Sequence, residues 1–249
     1  MKIKDSDLQG IDENSHIIHL WEPLEFNMDK NYQYVPTGIL FSICSNLLYY
    51  GIAFPILKIL TKIVYDLKIE GKENLKKLKS GAITVSNHVL VLDCAMIGLA
   101  CGKRKIYYTT EEGSFKIPFV RKLIKLLRAI PIPKSIQNKK YFMKAINETI
   151  KKGNIVHFYP EAALWPYYKK IRNFKNGAFD FAVKNKVPVV PMVFAFREAK
   201  GIRKLFKRKQ DVTLTILEPI DCEKKNVLEL KKEIHEAMEN CLENNKKKV

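Results

Sequence analysis

From about Tyr65 to the C-terminus, short apolar runs alternate with stretches of helical periodicity, and this alternation constrains the fold more than any single residue does. The runs Leu67–Ile69, Ala82–Val85, Lys105–Tyr108, Ile155–Phe158, Val189–Phe194 and Val212–Leu217 read as strands. Ala82–Val85 in particular reads as a buried strand. Between them, Leu92–Cys101, Phe119–Arg128, Tyr141–Lys151, Gly177–Asn185 and Val227–Asn244 read as helices, and Asn244–Val249 as a frayed Lys-rich tail. Such alternation predicts an α/β layered domain, a largely parallel sheet flanked by helices. At 249 residues the chain is long enough to bury one substantial core.

Upstream lies a different composition. Val35–Leu57 runs for 23 residues without a charge, long enough to cross a bilayer core. Ser42, Ser45, Asn46 and two glycines dilute it, and Pro55 is expected to break or kink the helix. Tyr49 and Tyr50 suit a membrane interface, and Lys58 and Lys62 favour holding the C-terminal body on the cytoplasmic face. The chain therefore divides into an acidic polar arm (1–34), an apolar membrane-associating helical segment (35–64) that spans or half-inserts, and the α/β domain (65–249). A core hairpin of a soluble domain is the alternative for the second part. The polar, acidic N-terminus does not read as a secretory signal.

Charge sharpens the choice of partner. The net charge is +18, yet residues 1–34 carry −4, leaving +22 on the rest. A body this basic calls for a polyanionic partner. No zinc-finger spacing, RNP-like aromatic strand, Walker A sequence or GxGxxG is present, so an anionic membrane surface is expected and nucleic acid is not. Phe119, Val120, Leu123, Ile124 and Leu127 share one face of a helix whose other face carries Arg121, Lys122, Lys125 and Arg128, a pattern that suits a lipid surface. A second basic cluster, Lys200, Arg203, Lys204, Lys207, Arg208 and Lys209, suits lipid head groups in the same way. The five cysteines are scattered and odd in number, which argues for small core residues in a reducing compartment; no metal site is expected.

The chemistry concentrates in Ser86-Asn87-His88-Val89-Leu90-Val91-Leu92-Asp93, directly after an apolar strand. On a continuous helix five residues turn through roughly 500°, leaving His88 and Asp93 about 140° apart. They meet only if His88 sits in the turn and Asp93 about one turn into the helix, with Ser86 or Asn87 as the N-cap. His88 then exchanges a proton near neutral pH and Asp93 orients it. The bland alternative is a capping Asn87, a surface His88 and a dipole-favoured Asp93. Glu161, in Tyr159-Pro160-Glu161-Ala162-Ala163, follows a strand and projects beyond its carboxyl end, where ligands of open α/β sheets bind. Arg172, Lys175 and the Asn176-Gly177 turn offer cations and N–H groups to an anion. Lys134 follows the rigid run Ile130-Pro131-Ile132-Pro133, and His157 reads as a core or sheet-face residue.

Taken together, these segments resemble the lysophospholipid acyltransferase family, typified by the 1-acylglycerol-3-phosphate acyltransferases. Asn87-His88 through Asp93 matches the NHx4D motif fully, and Tyr159-Pro160-Glu161 matches the first half of Phe-Pro-Glu-Gly-Thr-Arg. Phe174-Lys175-Asn176-Gly177-Ala178-Phe179 resembles the FKxGA segment, and Val187-Pro188-Val189-Val190-Pro191-Met192 the final Val-Pro-hydrophobic-hydrophobic-Pro motif. The resemblance covers about residues 66–220. It implies a membrane-associated O-acyltransferase with His88 as general base, Asp93 orienting it, and a direct attack of an acceptor hydroxyl on acyl-CoA or acyl carrier protein. It implies no cofactor and no metal. Lys134, Glu161, Arg172 and Lys175 are the implied acceptor-binding residues, and lysophosphatidic acid the implied lysophospholipid acceptor.

Two departures bear on the acceptor. The second family motif, Gly-x-x-Phe-Ile-Asp-Arg, becomes Arg128-Ala129-Ile130-Pro131-Ile132-Pro133-Lys134, so a lysine replaces the phosphate-binding arginine and loses its bidentate fork. In the third motif Ala162, Ala163 and Leu164 replace glycine, threonine and arginine, with Lys169, Lys170 and Arg172 as possible compensation. A glycolipid, polyol or other lysolipid acceptor is the first alternative. A non-catalytic lipid-binding protein is the second.

Overall fold

Strand β2 (Ala82–Ser86) is buried at every position, because it pairs in parallel with β5 (Ile155–Phe158) on one side and β6 (Val189–Arg197) on the other. The computed structural model describes residues 28, 31–199, 201 and 210–247. Side chains alternate between the faces of a strand, so β2 feeds two cores. Ile83 and Val85 pack with Ile146 of α6 (Ile136–Lys151), Phe179 of α7 (Gly177–Asn185) and Ile234 of α8 (Val227–Lys247). Ala82 joins Met96 and Ile97 of α4 (Asp93–Cys101), together with Tyr49 and Tyr65 of the apolar segment.

The sheet is completed by β1 (Lys68–Glu70), β3 (Ile106–Glu111), β4 (Ala129–Ile132) and β7 (Asp211–Ile216). Its order is β1-β7-β6-β2-β5-β3-β4. Only β6 and β7 are antiparallel; every other neighbouring pair is parallel. The carboxyl ends of β2 and β5 therefore lie side by side, which positions the site described below. The expected α/β layering holds. β4 is an addition to the strands read from the sequence: the rigid run Ile130-Pro131-Ile132-Pro133 contributes to a strand at the sheet edge, where a missing N–H costs no ladder bond. Helix α8 continues to Lys247, where a frayed tail was expected.

The apolar segment forms α1 (Ile39–Asn46), a π-helical stretch Leu47–Ala53 and α2 (Phe54–Tyr65) without a break. Pro55 stands in the first turn of α2, so the disturbance it causes falls just ahead of it, as the π turn. That turn also corrects the helix face. On an unbroken α-helix Ser45 and Thr61 would point about 160° apart; one residue absorbed by a π turn reduces this to about 60°. Both are buried against the domain, and the Ser45 hydroxyl donates to the Leu126 carbonyl at 2.7 Å. Gly98 of α4 lets the segment approach: a Cβ there would collide with the hydroxyls of Tyr49 and Tyr108.

The opposite face is bare. Ile39, Ile43, Leu47, Ile52, Ile56, Ile59 and Ile63 are all more than half exposed, and Phe119 of α5 (Pro118–Leu126) extends the patch. Only 11% of the most apolar window is buried, whereas the core-hairpin alternative calls for a mostly buried segment. The basic face expected of the neighbouring helix loses one member. Arg128 is buried at a positive φ of 69°, with Asn46 accepting from its guanidinium at 2.9 Å and the Tyr49 ring 4.1 Å away. A residue beyond the end of α5 no longer follows helical periodicity, so Arg128 turns inward. Of the arm, Met28 and Tyr34 are buried in the core. Residues 1–27, and the basic cluster Lys200, Arg203, Lys204, Lys207, Arg208 and Lys209, lie outside the described residues.

Candidate active site

His88 leaves the end of β2 in a short loop and Asp93 opens α4, so the two meet as the helix geometry required. Asp93 Oδ2 lies 2.6 Å from His88 Nδ1. The contact assigns the ring proton to Nδ1 and leaves Nε2 as the acceptor. Asp93 is 1% exposed and His88 19%, so the carboxylate is sealed while the imidazole edge reaches the surface. Asp93 is the first residue of α4 instead of one turn in, where a negative charge is favoured by the helix N-terminus. The expected cap is absent: Asn87 accepts from Phe194 N–H at 2.8 Å and donates to the Phe194 carbonyl at 3.0 Å. Its amide copies a strand backbone and clamps the loop to β6.

Tyr159, one residue past β5, covers the dyad. Its ring stacks on His88 at 3.9 Å between centroids and 17° between planes. Its hydroxyl donates to Asp93 Oδ1 at 2.6 Å. Burial first, then the Asp93 charge, hold the phenol pKa well above its usual value, so the group stays a donor. Behind it, His157 is fully buried and bonded to Thr84 at 2.9 Å and Ser86 at 3.3 Å. Burial, followed by the neighbouring His88, pushes the His157 pKa down to about 3, so it is a neutral packing residue, as its place in a strand implied.

Glu161 and Arg172 face each other instead of solvent. They form a buried ion pair at 2.9 Å, with side-chain exposures of 0% and 3%. Glu161 also accepts from Arg172 N–H at 3.0 Å and from His88 N–H at 3.2 Å. The Arg172 guanidinium donates to the Ala163 carbonyl and lies 4.6 Å from the Trp165 ring. The His88 and Val89 carbonyls accept from Trp165 N–H at 3.0 Å and Tyr167 N–H at 2.9 Å. The pair thus staples the 160–175 loop against the His88 loop; the acceptor-binding expectation named both residues, and the structure places them in this buried pair and not on an open surface. A buried carboxylate needs a partner more than it needs a ligand. Ala162 stands at the motif's glycine position and adopts φ 65°, the conformation glycine serves.

Lys134 is exposed, 3.4 Å from Glu111, and belongs to the edge connection after β4. Three strand spacings separate β4 from β2, about 14 Å. Lys175 is exposed just before α7, its N–H donating to the Pro160 carbonyl at 2.8 Å, beside the exposed Lys169 and Lys170. No group of three or more metal-ligating side chains occurs among the described residues. Sequence reasoning missed the role of Tyr159. The signal was available, since the motif begins with phenylalanine and this chain carries a hydroxyl there.

Comparison with known proteins places this geometry. A chloroplastic 1-acyl-sn-glycerol-3-phosphate acyltransferase of Arabidopsis thaliana is 33% identical over 129 residues, 51% of this chain and 35% of that protein. A Brassica napus chloroplastic counterpart is 31% identical over 51% of this chain and 37% of its own length. The chain thus aligns with little more than a third of these curated relatives. An uncharacterized acyltransferase of Schizosaccharomyces pombe is 28% identical over 78% of this chain and 69% of its own. In fold, the 1-acyl-sn-glycerophosphate acyltransferase of Thermotoga maritima superposes with a TM-score of 0.58 at 22% identity, covering 84% of this chain and 95% of that one. The acyltransferase family model matches residues 66–195, from β1 into β6 and across the whole His88 site, so the chain belongs to the acyltransferase family.

Proposed function

We propose that the protein is a membrane-associated O-acyltransferase moving a fatty acyl group from acyl-CoA or acyl carrier protein to a lysophospholipid hydroxyl, most simply that of 1-acylglycerol-3-phosphate, giving phosphatidic acid. The observation that carries this is the sealed Asp93 bonded to the partly exposed His88 at 2.6 Å, beyond the carboxyl end of β2. His88 Nε2 takes the hydroxyl proton as the oxygen attacks the thioester carbonyl. The tetrahedral oxyanion collapses, the carbon–sulfur bond breaks, and the thiolate leaves with the proton held by His88. The acyl group passes directly to the acceptor oxygen.

Membrane attachment follows from the bare apolar face. α1 and α2 lie along the domain through Ser45, Tyr49, Thr61 and Tyr65, so their outward isoleucines enter one leaflet while the domain stays on the cytoplasmic face. A segment docked along its length half-inserts; spanning would pull it off the domain. The acceptor has a second reading because Arg172 is paired with Glu161, leaving lysines as the remaining cations of the expected acceptor-binding set. A glycolipid, polyol or other lysolipid then fits.

Purified protein in detergent, offered both donors with a panel of lysolipid and sugar-lipid acceptors, tests the proposal. His88→Ala should lower turnover by about 10²–10⁴-fold with an unchanged melting temperature. Equal turnover in mutant and wild type overturns the general-base assignment. Turnover with another acceptor and none with lysophosphatidic acid selects the second reading.

A further inference from the structure

Beyond the dyad, the geometry points to Tyr159 as a positioning residue that sets the proton affinity of His88 through Asp93, an assignment that rests on His88 acting as general base. Two contacts carry it: the hydroxyl on Asp93 Oδ1 at 2.6 Å and the ring stacked on His88 at 3.9 Å. Asp93 spends one oxygen on the imidazole and the other on the phenol. A neutral donor on the second oxygen draws carboxylate charge away from the imidazolium, and so makes His88 easier to deprotonate. The stacked ring holds the imidazole in the plane that keeps Nδ1 on Asp93.

The surroundings leave Asp93 as the dominant lever. Glu161 approaches the His88 backbone, but its charge is matched by Arg172. His157, on β5, is neutral because burial holds its pKa near 3. Cys94, next along α4, is neutral because burial first and then Asp93 push its thiol up to about 12. Tyr108, on β3, stays a phenol through burial and bonds Tyr49 at 2.7 Å, not the dyad. Phenylalanine at position 159 would keep the stack and leave a buried Asp93 oxygen without the phenol.

The test uses full-length protein with ¹³C-labelled histidine in detergent, with the His88 resonance identified by its loss in His88→Ala. Tyr159→Phe should raise the His88 titration midpoint by roughly 0.5–1 pH unit. The acid limb of kcat/KM should move by the same amount, with kcat at the optimum held within a few-fold. Tyr159→Leu, which removes the ring as well, should lower kcat further while KM stays near the wild-type value. An unchanged His88 midpoint in Tyr159→Phe overturns the assignment. A midpoint that moves while the rate profile stays put upholds the Tyr159 contact and overturns the general-base reading instead.

Discussion

Asp93 and Glu161 approach His88 from two directions, and each holds a nitrogen-bearing side chain. Asp93 meets the imidazole ring at 2.6 Å; Glu161 meets the backbone N–H at 3.2 Å and the Arg172 guanidinium at 2.9 Å. Both carboxylates are sealed, so burial of the acid does not separate them. The partners do: His88 keeps 19% of its side chain exposed, while Arg172 keeps 3%. A proton-transfer group needs an open nitrogen, and a staple needs none. Under the proposed function, the comparison assigns chemistry to the buried polar pair of which one member reaches solvent, and architecture to the pair of which neither does.

Substitution of the staple should give the largest stability effect. Glu161→Gln leaves Arg172 as an uncompensated buried charge and should cost about 3–5 kcal/mol, read as a fall in the denaturant midpoint. The double variant Glu161→Leu/Arg172→Met should recover much of that loss, since an apolar pair avoids desolvation. A Glu161→Gln protein of wild-type stability, but inactive, would break the comparison and return Glu161 to the chemistry.

A second contrast lies between His88 and His157, one open and one sealed. With its native pKa pushed down to about 3, His157 binds no proton in the folded state, while the unfolded chain takes one up below about pH 6.5. The stability contributed by the neutral ring is complete above pH 6.5. It is lost as the pH falls toward 3, by at most about 1.4 kcal/mol per pH unit. Acid unfolding of His157→Gln should show a shallower slope over that window; an identical slope would place the titration elsewhere.

The smallest effect belongs to the loop backbone. Ala162→Gly relieves a φ of 65° and should stabilise by about 0.5–1 kcal/mol, net of the added freedom of the unfolded chain. A loss of stability would mean that the methyl group packs usefully and that the strain is absorbed.

Much of the fold was readable because it rests on local patterns. The short run Ala82–Val85 announced a buried strand, and α7 falls on Gly177–Asn185 as the periodicity predicted. β4 was hidden because its acceptability depends on an edge position, a property of the whole sheet. In the site, the five-residue spacing of His88 and Asp93 is local, so their meeting followed from helix geometry. Tyr159 and Glu161 contact the dyad loop from 66 and 73 residues away, and no spacing rule reports such a pair. The inward turn of Arg128 escaped notice because helical periodicity stops with α5.

By itself, the sequence determined the α/β class, the apolar segment and the identity of the His88–Asp93 pair, because each follows from periodicity or short-range geometry. Tertiary structure alone decided which polar groups face solvent. It set Asn87 against Phe194 instead of at a helix cap, turned Glu161 and Arg172 onto each other, and laid α1 and α2 along the domain with one bare face. The physical reason is that a buried polar group must find its partner within hydrogen-bond reach, and reach is a distance in space that the chain order does not record.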